Sequence, residues 1–203
     1  MNKRLGHPHR CPWVGKPQIY VNYHDEEWGV PIGDDRTLFQ KLVLEGFQAG
    51  LSWITILKKR KRFVEVFDGF DPEKIVNYDA AKIEELMRDA AIIRHRAKIE
   101  ATISNARAYL DLAEKQSLGA FFWDFVDGQT IDNEIVHMKN VPGKTVLSEK
   151  ISKALKQRGF RFCGPVGVYA LMQSAGLVND HLVDCHRHEP CRKLAKQFTA
   201  PVC

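Results

Sequence analysis

Apolar residues recur with a helical period along most of this chain, and little of it is typical of strands. Asp71 followed by Pro72, and Asp79 further on, are residue types at which helices commonly begin. The longest amphipathic segment is residues 96–115, and an aromatic segment, residues 118–126, is expected to close the core. The sequence therefore predicts an all-α fold.

The chain has 203 residues, of which 44% are hydrophobic, and this is enough for one sizeable core. We expect a single domain over residues 1–203, which could consist of two helical lobes with a pocket between them. Residues 127–145 are rich in Asp, Asn, Gly and Pro and are predicted to form a surface loop. Residues 1–10 and 188–203 are predicted to be flexible tails.

The N-terminal residues lack the apolar core of a signal peptide, and no run of about 18 apolar residues is present to span a membrane. We therefore expect a cytoplasmic protein with no membrane partner. In that compartment the five cysteines stay reduced, so metal binding or packing explains them better than disulfides do.

Two predicted helices flank a bend that carries one carboxylate and one large ring, Glu45 and Trp53. The first helix is predicted to begin at residues 34–35, Gly50 suits a left-handed turn after it, and Ser52 can cap the second helix. A carboxylate near a helix C-terminus opposes the helix dipole, so a structural role gives Glu45 no advantage there. A solvated Glu beside a core Trp is nevertheless the commoner arrangement.

A helix, a hairpin and a second helix are predicted over residues 148–176. Gly159 can end the first helix, and Gly164 followed by Pro165 can begin the second. The amide groups near Gly164 would then be free to bind a phosphate, and Arg161 adds positive charge. A packing unit with no ligand is the alternative, and the basic residues in the turn favour DNA.

The basic residues are clustered at residues 58–62, at residues 94–96 and between positions 150 and 161, although the formal net charge is only +5. Such clusters favour a polyanion as the partner, whereas charge runs on helices are often just solvated faces. We therefore expect nucleic acid ahead of the other partner classes.

Two cysteines and two histidines stand at opposite ends of the chain: Cys11, His24, His181 and Cys185. Thiolate and imidazole are ligands that Zn²⁺ prefers, and four protein ligands leave no open position, so such a site would be structural. One zinc ion would clip the N-terminal segment to the C-terminal one. Spacing alone leaves alternative ligands open at His7, His9, His186, His188, Cys191 and Cys203.

Seven segments, which together span residues 11–185, resemble in order the 3-methyladenine DNA glycosylase I family. They are Cys-Pro-Trp at 11–13, Tyr-His-Asp-Glu-Glu-Trp-Gly at 23–29, Leu-Glu-Gly-Phe-Gln-Ala-Gly-Leu-Ser-Trp-Ile-Thr at 44–55, Ile-Ile-Arg-His-Arg at 92–96, Asn-Ala-Arg-Ala-Tyr at 105–109, Ser-Lys-Ala-Leu-Lys at 152–156 and Gly-Leu-Val-Asn-Asp-His at 176–181. The resemblance implies a helix-hairpin-helix glycosylase fold, a structural zinc ion, and hydrolytic removal of N3-methylated adenine from DNA.

The resemblance also assigns residues to roles. It implies that the zinc ligands are Cys11, His24, His181 and Cys185, and that the pocket residues are Glu45, Trp53, Tyr20, Tyr23 and Trp13. Glu45 is expected to bind the base first and to assist its departure electrostatically second. An aspartate after the hairpin assists cleavage in related helix-hairpin-helix glycosylases, and Asp180 is the nearest candidate, although it could equally orient the neighbouring His181.

The expected partners are alkylated double-stranded DNA and a flipped 3-methyladenine base, bound by a monomer. Leu51 lies at the bend and could fill the gap that a flipped nucleotide leaves, or it could simply pack in the core. One alternative function is a non-catalytic, zinc-stapled module that binds nucleic acid. Another is a zinc-dependent hydrolase that uses the histidine-rich C-terminal segment.

Overall fold

The computed structural model describes residues 9–202, and this part of the chain is mainly helical, as predicted. Two strands of two residues each, β1 (Ile131–Asp132) and β2 (Val178–Asn179), pair in parallel with Asp132 beside Asn179. The helices are α1 (Gln18–Glu26), α2 (Asp35–Gln48), α3 (Trp53–Val66), α4 (Pro72–Ile75), α5 (Ala80–Arg88), α6 (Arg96–Ala113), α7 (Leu118–Asp124), α8 (Val146–Gln157), α9 (Pro165–Ser174) and α10 (His188–Gln197).

Several helices begin at the residues predicted from the sequence, and a side chain caps the N-terminus of each. The side chain of Asp34 accepts a bond from the amide of Thr37 at 2.8 Å, which satisfies one of the free N–H groups at the start of α2. Asp71 and Asp79 cap α4 and α5 in the same way. Gly50 has a φ of 85°, so the turn between α2 and α3 uses the left-handed conformation that glycine tolerates.

Helix α2 lies at the centre of the molecule. It packs against α3, α6, α7 and α9, and every residue from Lys41 to Phe47 is buried. A surface helix buries only a stripe of its side chains, so this unbroken run indicates a helix that is enclosed on all sides. Two ionisable residues of α2, Lys41 and Glu45, are consequently held inside the protein.

A second, smaller core joins the two ends of the described chain. It contains Cys11 and Val14 from the N-terminal segment, Trp28 after α1, and Leu182 and Cys185 near the C-terminus. The predicted set of two cysteines and two histidines requires contact between these ends, and their packing closes the fold around α1.

The prediction of a flexible C-terminal tail differs from the structure. Residues 188–197 form α10, in which Cys191 is only 1% exposed, and the ring of Phe198 lies 4.6 Å from that of Trp123. Residues 1–8 and 203, which include His7, Cys203 and most of the predicted N-terminal tail, lie outside the described residues. Within residues 9–202, no helix combines the length and hydropathy that crossing a membrane requires.

Candidate active site and metal centre

A cavity of about 310 Å³ opens between α1, α2, α3 and α9, and all five predicted pocket residues line it. These are Trp13, Tyr20, Tyr23, Glu45 and Trp53. Trp28, Gln48, Tyr169 and Gln173 add further aromatic and amide groups to the wall. The cavity is therefore an aromatic chamber that contains a single carboxylate, and its volume suits a small planar ligand.

Glu45 is the charged group of this cavity. Its side chain is buried, and within residues 9–202 its carboxylate has no hydrogen-bond partner. Burial raises the pKa of Glu45 to about 8, and the positive charge of Lys41 limits that rise. A buried carboxylate without a partner costs free energy, so its position facing a cavity indicates a group that awaits a donor or a cation.

Trp53 begins α3 and forms another wall. Its ring centroid lies 5.6 Å from that of Tyr23, and its buried indole N–H has no hydrogen-bond partner among residues 9–202. Trp13 closes the same wall, because its ring contacts the rings of Tyr20 and Tyr23 edge to face at 5.5 and 6.5 Å. Such interlocked rings hold one another in place and leave their remaining faces for a ligand.

Asp180 does not line the cavity, and its carboxylate is fully engaged. One oxygen accepts a bond from Asn133 at 2.6 Å, and the other accepts bonds from Tyr169 at 2.7 Å and Gln173 at 2.8 Å. Since Tyr169 and Gln173 both line the cavity, Asp180 positions two wall residues. Of the two roles considered for Asp180, the geometry favours an orienting role, with these residues rather than His181 as its partners.

The contribution of α9 to the cavity was not predicted from the sequence. Val166, Tyr169, Ala170 and Gln173 all line it, and their spacing places them on one face of the helix. That periodicity was available in the sequence. Residues 138–143, within the predicted surface loop, also contribute to the wall, but a non-periodic loop gives no comparable signal.

The four predicted metal ligands converge. The ligand atoms of Cys11, His24, His181 and Cys185 all lie within 4.8 Å of one another, and all four side chains are buried. The Cys185 sulfur is 3.4 Å from His24 Nε2 and 3.6 Å from His181 Nδ1. These separations and residue types would suit a tetrahedral metal ion.

Outer contacts orient both imidazoles towards the cluster. His24 Nδ1 lies 2.7 Å from Asp25 Oδ1, and His181 Nε2 lies 2.9 Å from the carbonyl oxygen of Trp28. Each ring therefore turns its other nitrogen towards the two sulfurs, as metal-binding histidines commonly do. The pKa of the Cys185 thiol is lowered, chiefly by a hydrogen bond from Cys11. A lowered pKa favours the thiolate, which is the form that binds metals.

The hairpin between α8 and α9 presents the predicted phosphate-binding residues at the surface, away from the cavity wall. Gly159 has a φ of 89° just after α8, Arg161 is exposed, and Gly164 is the N-cap of α9. Asn105 holds the hairpin by donating to the Arg161 carbonyl at 3.1 Å and accepting from the Arg161 amide at 2.7 Å. A side chain of α6 thus fixes the shape of this turn.

Apolar side chains are exposed at the bend and on the hairpin. Leu51 is 39% exposed and does not line the cavity, so it is not an ordinary core residue. Phe162 is 38% exposed, and its Cβ would lie 3.2 Å from a Cβ placed on Gly46. The hairpin is therefore seated on α2 next to Glu45, which links the surface turn to the cavity.

The buried carboxylate of Glu45 lines an aromatic cavity, and such a cavity is suited to binding a planar ring that carries positive charge. Residues 13–188 match the family model for methyladenine glycosylases. A DNA-3-methyladenine glycosylase of Haemophilus influenzae is 50% identical over 184 residues, which are 90% of this chain and 97% of the relative. The chain belongs to the methyladenine glycosylase family.

Solved structures agree with this assignment. A crystal structure of 3-methyladenine DNA glycosylase I is 47% identical in sequence and superposes with a TM-score of 0.87, covering 89% of this chain and all of that one. A variant of 3-methyladenine DNA glycosylase I in complex with 3-methyladenine is 39% identical, with a TM-score of 0.86 and coverage of 88% and 97%.

Proposed function

We propose that this protein removes 3-methyladenine from alkylated DNA by hydrolysing the N-glycosidic bond, which leaves an abasic site. The observation that carries this proposal is the unpartnered carboxylate of Glu45 in an aromatic cavity. Relatives that carry the name DNA-3-methyladenine glycosylase match 50% and 48% of the aligned residues, over most of both chains.

The chemistry of the lesion explains why so few catalytic groups are needed. Methylation at N3 gives the adenine a positive charge, so the base departs as a neutral molecule and its glycosidic bond is intrinsically weak. The enzyme must first take the base out of the duplex, because the bond is inaccessible inside the stack. Selection of the cationic base over ordinary adenine is then the main task of the pocket.

Selection follows from the character of the cavity wall. The faces of Trp53 and the tyrosines attract a cation, and stacking holds any flat base. Glu45 adds a negative charge and accepts a hydrogen bond from the exocyclic amine. This interaction is stronger with the cationic base than with neutral adenine. A bound cation would also favour the ionised form of Glu45, whose pKa is about 8 in the empty cavity.

We further propose that the hairpin and the bend hold the DNA while the base is out. The amides around Gly164, with Arg161 and Gly159 nearby, would bind a backbone phosphate at the N-terminus of α9. Leu51 would enter the stack at the vacated position, since it is exposed and apolar. Phosphate contacts position the duplex and carry no information about the lesion.

The cluster of Cys11, His24, His181 and Cys185 would hold one Zn²⁺ ion. Bound zinc would supply no chemistry here, because four protein ligands leave no position for water or substrate. The ion would tie the segment that carries Trp13 to the C-terminal residues, so the ligands would keep that wall of the cavity in place. The free energy of zinc binding would therefore contribute directly to the free energy of folding.

Single-turnover release of 3-methyladenine from methylated duplex DNA tests the function. Glu45→Gln keeps the shape of the side chain but removes its charge, which should slow release roughly ten- to a hundredfold because a charged hydrogen bond is worth about 1.5–3 kcal/mol. Trp53→Ala should do comparable harm, since stacking is worth about 1–3 kcal/mol per base.

Glu114→Gln is the matched control, because Glu114 is exposed and the variant loses the same charge. We expect this control to release base at the wild-type rate, and all variants to bind abasic DNA with similar affinity. If the wild-type protein binds undamaged duplex tightly and releases no base, it is a binding module and not a glycosylase.

A further inference from the structure

We propose that Lys41 is a positioning residue of this pocket, and that its ammonium group increases the ionised share of Glu45 before the base enters. Lys41 is absent from the cavity lining, so it would act through Glu45 and would not touch the base. This inference rests on the proposed function, which makes the charge of Glu45 the feature that selects a cationic base.

The two residues lie one helical turn apart on α2, and both are inside the protein. Lys41 is 8% exposed and Glu45 is 6% exposed. Within residues 9–202, neither side chain has a hydrogen-bond partner or an ion pair within 4.0 Å. Lysine is seldom buried without a partner, so the cost of placing one here calls for a compensating role.

Glu27 and Arg60 are the other charged groups that act on Lys41, and they change its pKa in opposite directions. On the α1 and α3 side of Lys41, Arg60 binds Glu27 through both carboxylate oxygens, at 2.5 and 2.7 Å, so these charges compensate each other. The ring of Tyr23 faces the Lys41 ammonium group at 5.8 Å, which is favourable for a cation.

Among residues 9–202, no positively charged group on the α9 side affects the pKa of Glu45. A Cβ placed on Gly167 would lie 4.0 Å from the Cβ of Glu45, and the hydroxyl of Tyr169 donates its hydrogen bond to Asp180. Lys41 is therefore the one group in the described surroundings that lowers the pKa of Glu45, against a larger opposing effect of burial.

This arrangement has a definite consequence for an apolar replacement. Lys41→Met keeps the length of the side chain and removes a costly buried charge, so the variant should fold. The pKa of Glu45 should then rise above its present value of about 8, because only the effect of burial remains. At neutral pH a larger share of the carboxyl groups would be protonated and would offer no charge to the base.

The direct test is a ¹³C NMR titration of the Glu45 carboxyl group in the full-length protein, with the signal assigned by its loss in Glu45→Gln. The midpoint should move to higher pH in Lys41→Met and stay near the wild-type value in Lys41→Arg. Lys115→Met, which removes an exposed lysine, should leave the midpoint unchanged. An unchanged midpoint in folded Lys41→Met would overturn the proposal.

The pH profile of single-turnover base release gives a second readout. In Lys41→Met the rising limb of the profile should move to higher pH, and its rate should equal that of the wild-type protein at high pH. Below both midpoints, the rate should fall about tenfold for each pH unit by which the midpoint moves. Adding Lys41→Met to Glu45→Gln should not move the profile.

Loss by the same factor at every pH would mean that Lys41 has only a structural role, which contradicts the proposal. A wild-type protein that releases no base would defeat the proposed function, while the NMR titration would still decide the relation between Lys41 and Glu45.

Discussion

The amide of Ile54 donates a hydrogen bond of 3.1 Å to the phenolic oxygen of Tyr20, so a side chain of α1 satisfies a free N–H group at the start of α3. Ser52, the predicted cap, is at the N-cap position, but its hydroxyl lies 2.8 Å from that of Thr55 and makes no bond to the backbone. Tyr20 therefore fixes the first turn of α3, which carries Trp53.

Tyr20→Phe should misplace Trp53 while leaving an aromatic ring in the cavity wall. Losing this hydrogen bond should cost about 0.5–1.5 kcal/mol of stability. Base release should slow several-fold, because a misplaced Trp53 would no longer hold the base in its reactive position. Thermal melts and single-turnover kinetics measure the two effects. Tyr78→Phe is the control, because it loses a hydroxyl that bonds the Val66 carbonyl and Asp68, at a distance from the cavity wall. Equal slowing in both variants would contradict a specific role for Tyr20.

Glu45→Gln should be more stable than the wild-type protein at neutral pH, although it is slower in base release. The pKa of Glu45 is raised from its ordinary value of 4.5 to about 8 in the folded protein, chiefly by burial. Its contribution to stability is therefore fully present below pH 4.5 and is lost as the pH rises to about 8, with a slope of at most about 1.4 kcal/mol per pH unit.

Urea denaturation at several pH values measures this difference. The stability advantage of Glu45→Gln should grow between about pH 4.5 and 8 and then level off. A difference that does not depend on pH would mean that Glu45 is solvated, contrary to its burial.

Local features of the fold could be predicted from the sequence, whereas features that depend on the packing of several helices could not. The caps at Asp34, Asp71 and Asp79 were predicted correctly, because each depends on residues two or three positions away. Lys41 gave no signal, since a lysine on a helix ordinarily faces water and only the helices around α2 bury it.

The same reasoning explains why the C-terminal helix was not predicted. Helix α10 is highly charged, and its two buried residues, His188 and Cys191, are too few to produce a visible period. The pocket residues were assigned by resemblance to a family, because aromatic residues at separate points in a sequence do not reveal that they meet. The four metal ligands were selected from ten candidate cysteines and histidines in the same way, and their convergence is a fact of the structure.

Cys11→Ser/Cys185→Ser should lose zinc and stability while the chemistry of the pocket is less affected. Two thiolates leave the proposed site, and metal binding contributes directly to folding. Metal analysis of purified protein should give one zinc per chain for the wild type and none for the double variant. Cys163→Ser is the control, because Cys163 is buried but lies outside the cluster. Zinc content that survives in the double variant would contradict the ligand assignment.

Gly164→Asp should weaken binding to damaged and intact duplexes alike. The new carboxylate would repel the phosphate from the N-terminus of α9, and losing a charge-assisted hydrogen bond of about 1.5–3 kcal/mol corresponds to roughly a ten- to hundredfold increase in Kd. Fold stability should not fall, because aspartate is a good N-cap residue and a Cβ at Gly164 meets no atom within 4 Å.

Gly164→Ala is the matched control, since it adds the same Cβ without charge and Gly164 has a φ of −64°, which alanine tolerates. Fluorescence anisotropy with abasic and undamaged duplexes gives the affinities. We expect near-wild-type binding for Gly164→Ala and parallel weakening on both duplexes for Gly164→Asp, because phosphate contacts do not report on the lesion. A Gly164→Asp variant that loses only the preference for the abasic duplex would place Gly164 in lesion recognition instead.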